Sequence, residues 1–152
     1  MAAPVDSLEG KVEFSLLAVL SDAGLEEYGL LLCGHEFEEQ EGAQIVIACF
    51  GGPEVVYNSG NYLMRTRIMI RSPMDREPNE TQVLDPREKH REIVQLVRAA
   101  IHTETIEADL TGHEADFTCN VIYPADTDSM VEGRFFVTNL EYEVDCVRAD
   151  FA

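Results

Sequence analysis

Apolar and polar residues along this chain repeat with two periods, and each period predicts an element. Over residues 7–23, Leu8, Val12, Leu16, Val19 and Leu20 recur at three- and four-residue spacing, which gathers them on one face of a helix. Asp6 or Ser7 stands where a side chain caps the free amides, and Gly24 stands where a helix ends. Gly10 weakens the first turn. A second helical pattern covers residues 86–102. Ile93, Leu96, Val97, Ala100 and Ile101 form its apolar face, with Arg87, Glu88, Arg91, Glu92, Gln95 and Arg98 mostly on the wet side. Asp85 is the expected cap, Pro86 suits the first position, and Glu88 completes a capping-box pattern.

Elsewhere the pattern is that of strands. AQIVIACF, residues 43–50, is a continuous apolar run broken by GGPE, as expected of a buried strand. A turn at Asn58–Gly60 precedes NYLMRTRIMIRS, residues 61–72, which predicts a strand beginning nearer Tyr62. Its Arg65, Arg67 and Arg71 alternate with Met64, Thr66, Ile68 and Ile70, so one face is basic and the other apolar. DFTCNVIYP, residues 116–124, predicts another strand. GRFFVTNLEYEVDCVRAD, residues 133–150, reads as one long strand or two with a bend near Asn139. Within it Glu141, Glu143 and Asp145 share one face, and Leu140, Tyr142, Val144 and Cys146 share the other. The polar stretches 73–84 and 125–132 are expected to be surface loops. Residues 25–43 mix an apolar run with an acidic one and fit either a short helix or a short strand before a surface turn.

This order predicts a single α+β domain over residues 1–152, a mostly antiparallel sheet with about two helices packed on one face. A hydrophobic fraction of 45% supplies an ordinary core. No apolar run approaches the roughly 18 residues of a membrane span. The opening MAAPVDSLEGK lacks the basic-then-apolar layout of a secretory signal, so the expected compartment is the cytoplasm of the cell that makes the chain.

Charge changes this picture. The formal net charge is −18, which argues against unassisted binding to nucleic acid or to an anionic membrane. It suits a solvated surface, a nucleic-acid mimic, or a wall that DNA passes without sticking. The positive charge is also segregated. Residues 1–64 hold one basic residue, Lys11, against eleven acids; residues 65–98 hold eight against six; residues 99–152 hold two against twelve. Such segregation favours internal pairing or head-to-tail contact between copies. The basic face of 65–71 and the acidic face of 141–145 are complementary ladders. Either they pair across neighbouring antiparallel strands, or the arginines meet an acidic face of another subunit.

Motifs for chemistry are missing. No Walker loop, dinucleotide fingerprint, GxSxG or HExxH occurs, and Gly51-Gly52-Pro53 lacks the ending of a phosphate loop. Cys33 and His35 form a CxH pair, but His90, His102 and His113 are dispersed, and no spacing brings a metal set together. Cys33, Cys49, Cys119 and Cys146 are scattered without a CxxC pair and read as small buried thiols, with no activating motif around them. EFEEQE, residues 36–41, lacks the spaced pattern that wraps calcium and reads as a solvated turn, as do Asp126 and Asp128. Tyr123, Phe135, Phe136 and Tyr142 alternate as core residues do. No catalytic, cofactor-binding or metal residue is expected; the chain reads as one that works by shape and contact.

The layout resembles the tail-terminator, or tail-completion, proteins of long-tailed bacteriophages. The resemblance spans an opening helix, AQIVIACF, LMRTRIMIRS, DPREKHREIVQLVRAAIH, FTCNVIYP and the closing GRFFVTNLEYEVDC. It implies a small α+β virion structural protein of the tail and neck, assembled in the host cytoplasm. It implies a homo-hexameric ring that contacts the tail tube and head–tail connector proteins, with DNA as a passing strand in an acidic lumen. On that reading Arg65, Arg67 and Arg71 line or support an inter-subunit surface, and Glu141, Glu143 and Asp145 are the candidate acidic partners. The alternatives are an acidic DNA-mimic inhibitor of a nucleic-acid-binding protein, another neck or tail connector component, and a small enzyme. The basic central third weakens the mimic, which gains from an unbroken negative face.

Overall fold

The computed structural model describes residues 7–55, 57, 59–74, 85–114 and 116–148. Helix α1 (Leu8–Asp22) starts at Ser7, whose Oγ accepts from the Gly10 amide, and ends at Ala23 before Gly24 turns left-handed at φ +81°. A 3-10 turn (Leu25–Glu27) leads to strands β1 (Leu30–Cys33), β2 (Gln44–Gly51) and β3 (Asn61–Pro73). Helices α2 (Pro86–Ile101) and α3 (Ile106–His113) follow, then strands β4 (Phe117–Glu132) and β5 (Phe135–Arg148). The five strands make one sheet in the order β1-β2-β3-β5-β4. Only β1 and β2 run parallel. The expected α+β class with a mostly antiparallel sheet is the observed one, with three helices among the described residues rather than about two.

The core follows the strand parity read from sequence. Ile45, Ile47, Met64, Ile68, Ile70, Leu140, Tyr142, Val144 and Cys146 point to the helices. There they meet Leu8, Val12, Leu16 and Leu20 of α1 and Ile93, Val94, Val97 and Ile101 of α2. Strand β2 is buried on its other face too, because Val46 and Ala48 pack with Met69 of β3 and with Leu32 and Phe37. The break after β2 has a steric cause: a Cβ at Gly52 would stand 1.7 Å from the Leu63 carbonyl oxygen. The irregular register between Cys49 and Gly51 is tied to the helix layer by Glu13, whose carboxylate accepts from the Cys49 amide at 2.8 Å.

Four expectations need correction or completion. The stretch 125–132 is not a loop. It is the outer half of β4, exposed throughout, and it pairs with β5 down to Glu132 opposite Phe135. The two-residue turn Gly133–Arg134, with Gly133 at φ +60°, closes this hairpin. Backbone pairing, not apolar burial, holds the segment extended, so polar composition misled. Residues 25–43 contain both a short helical turn and a strand. Since β1 and β2 are parallel, residues 34–43 must carry the chain back across the sheet, and such a crossover has no periodic pattern. Helix α3 lies in a stretch with no assigned element; only Ile106 and Leu110 are buried in it, too few to declare a period. The closing segment is one strand rather than two. Of the loop expected at 73–84, residues 75–84 lie outside the described residues, as do Asp6 and Asn58.

Candidate functional site

Strand β3 sits between β2 and β5, so its odd-numbered side chains have neighbours on both sides. In the β3–β5 register Arg65 faces Glu143 and Arg67 faces Glu141. Arg67 Nη2 lies 3.1 Å from Glu141 Oε1. Its guanidinium also lies over the Phe50 ring, 5.1 Å from the centroid. Asp145 stands opposite Leu63 and accepts from Asn120 Nδ2 at 3.2 Å. The two ladders thus belong to adjacent strands of one sheet, with Arg65, Arg67, Glu141 and Glu143 around a depression of about 260 Å³ that Phe50 and Ala125 complete. The Arg67 and Glu141 side chains are 38% and 41% exposed, so their pair contributes only about 0–1 kcal/mol.

Arg71 does something else. Its Nη2 donates to the Glu38 carbonyl at 3.1 Å and to the Gln40 carbonyl at 2.8 Å. Its Cζ lies 4.0 Å from the Phe135 ring centroid and 4.8 Å from that of Phe37. Gln44, fully buried, holds the same segment: it accepts from the Glu38 amide and donates to the Glu38 carbonyl, both at 2.8 Å. The crossover is therefore fastened by its backbone to the sheet face opposite α1 and α2. Its side chains Glu36, Glu38, Glu39 and Glu41 remain exposed. The acidic run expected to be a solvated turn is a pinned strap with a row of outward carboxylates.

A larger concavity, about 650 Å³, lies where the outer hairpin of β4 and β5 runs beside α2. Arg87, Arg91 and Arg98 line the helix side, and Met130, Val131 and Phe136 line the hairpin side. Met130 and Val131 are 43% and 60% exposed, an apolar pair in an otherwise polar arm. Arg91 pairs with Glu88 one turn away, and Arg98 reaches Thr127 of β4 at 3.3 Å. At the floor His90 is buried between two hydroxyls, with Nδ1 2.6 Å from Ser72 Oγ and Nε2 2.7 Å from Thr138 Oγ1. Ser129 Oγ extends the chain of contacts, 3.0 Å from Thr138 Oγ1. Burial lowers the His90 pKa, since a charged imidazole there would lose water without gaining a carboxylate. A neutral imidazole can accept one hydroxyl proton and donate to the other, which fits this pair of partners.

The cysteines are free thiols; Cys49, Cys119 and Cys146 are buried and Cys33 is half-buried. Burial pushes Cys33 and Cys119 up to about 12 and raises Cys49 and Cys146 as well. Thiols held so far from thiolate are poor nucleophiles at neutral pH. Among the described residues, no group of three or more His, Cys, Asp or Glu side chains converges on a metal position. No helix among them is long and apolar enough to cross a membrane.

Sequence reasoning brought Arg65, Arg67, Glu141 and Glu143 together but missed the groove. Arg87, Arg91 and Arg98 read in sequence as the wet side of an amphipathic helix, because the polar stretch facing them reads as a loop. The signal was Met130-Val131, two apolar residues in a run of polar ones. No family model matches the chain, and no curated protein matches it in sequence.

Proposed function

We propose that this chain is a ring-forming tail terminator of a long-tailed bacteriophage, a virion structural protein that closes the tail tube at the head–tail junction and lets DNA pass. The observation that carries the reading is the separation of charge in the fold. Arg87, Arg91 and Arg98 collect along the α2 groove, while carboxylates dominate the rest of a chain whose net charge is −18. A subunit with basic and acidic surfaces in different places is suited to a heterologous contact, which closes into a ring when the rotation allows. The remaining carboxylates suit a lumen that repels phosphate. The element order also supports it, from the opening helix through the arginine strand and the capped helix to the alternating final strand.

The charge ladder counts against a DNA mimic. Glu141 pairs with Arg67 and Glu143 stands opposite Arg65, so part of this row of carboxylates has counter-charges in its own sheet.

Electron microscopy of tail tubes that lack a terminator, incubated with the purified chain, tests the proposal. The expected result is a six-fold cap at one end of each tube. Decoration along the tube wall, or tubes left bare at saturating protein, would count against it.

A further inference from the structure

Two surfaces of this chain are complementary and cannot meet within one copy. The strap at 36–41 lies over β2 and β3 on the face opposite α1 and α2, fastened by Arg71 and Gln44. The groove lies beside α2, at the β5–β4 edge. The strap offers four exposed carboxylates in six residues, and the groove offers Arg87, Arg91 and Arg98 above an apolar hairpin wall.

We propose that the groove of one copy receives the 36–41 strap of the next. This inference rests on the ring reading above and names the contact that would make the ring. Three physical points favour a second copy as the occupant. Charge is complementary, with carboxylates against guanidiniums that present planar paired donors. The strap is already ordered by backbone bonds to Arg71 and Gln44, so docking it costs little conformational entropy. The two surfaces differ, so a contact between them is head-to-tail and leaves each docked copy with a free strap at one side and a free groove at the other. The apolar pair Met130 and Val131 would lose water against the stems of the incoming side chains, which gives the contact a component that salt does not screen.

Sedimentation of the full chain and two variants at low salt tests the contact. The wild type is expected to sediment as an oligomer. The variant R87E/R91E/R98E is expected to sediment as a monomer with an unchanged circular dichroism spectrum. Adding E36K/E38K/E39K/E41K to that variant restores opposite charge and is expected to recover the oligomer. A wild type that stays monomeric at every concentration overturns the proposal. So does a groove variant that assembles like the wild type, or a folded charge-swapped variant that does not recover. The two readings fail differently. Rings indifferent to the groove substitutions would remove this contact and leave the terminator standing. A dimer or open chain governed by the charge swap would keep the contact and remove the six-membered ring.

Discussion

Replacing Arg71 by alanine should loosen the strap and destabilise the fold. The side chain donates two hydrogen bonds to the Glu38 and Gln40 carbonyls and lies against Phe37 and Phe135. A bond from a charged donor contributes about 1.5–3 kcal/mol in favourable settings. These two are open to solvent, so about 1 kcal/mol each is the appropriate scale after screening. Contact with two partly exposed rings adds about 0.5–1 kcal/mol. The expected loss is about 2.5–3 kcal/mol. For a chain of this length about 1 kcal/mol moves the melting temperature by about 2–4 °C, which gives a drop of roughly 5–10 °C. Differential scanning calorimetry measures that drop, and hydrogen exchange should show faster exchange at the Glu38 amide. R71K keeps the charge but loses the planar donors and most of the stacking, so it should fall close to R71A. An R71A melt within about 2 °C of the wild type, or R71K equal to the wild type, would refute the reasoning.

Breaking the Arg67–Glu141 pair should matter little to folding. A double-mutant cycle with R67Q and E141Q is expected to give a coupling of about 0–1 kcal/mol, reduced further by salt. His90 should make stability fall in mild acid. Its folded pKa lies below the unfolded value of about 6.5, so below that pH the unfolded chain binds the extra proton and gains on the native state. The contribution is complete above about pH 6.5 and is lost as pH falls toward the folded pKa; denaturant titrations of the wild type and H90N should diverge in slope across that window. Cys33 and Cys119, raised to about 12, should resist alkylation by iodoacetamide at pH 8 until denaturant is added. L16A removes a fully buried side chain and should cost about 2–5 kcal/mol by the same denaturant assay.

Much of the fold was legible because strong periods sat on long elements. Residues 86–102 carry an unambiguous helical stripe and the cap Asp85, which accepts from the Arg87 amide, while Glu88 pairs with Arg91 rather than closing a capping box. The alternation in 61–72 and 140–146 gave the strand faces and the facing charge ladders, now seen as Arg65 opposite Glu143 and Arg67 opposite Glu141. What stayed hidden had no local signature. The 34–43 crossover exists because β1 and β2 run parallel, a fact about strand order and not about those ten residues. The outer half of β4 is polar and exposed, and is a strand only because β5 hydrogen-bonds to it. Helix α3 is short and shows too few apolar positions to set a period. The groove required two of these hidden features at once, the extended hairpin and its approach to α2. The three arginines that line it were visible in sequence, but nothing visible said what stood opposite them.

Molar mass in solution tests the central claim most directly. Light scattering after size exclusion, at low and high salt, should find a species near six copies of the 17.0 kDa chain at low salt that dissociates as salt rises. Rings should be visible by electron microscopy in the same fractions. A single-chain mass at every concentration and salt would contradict a ring held together by opposed surface charge.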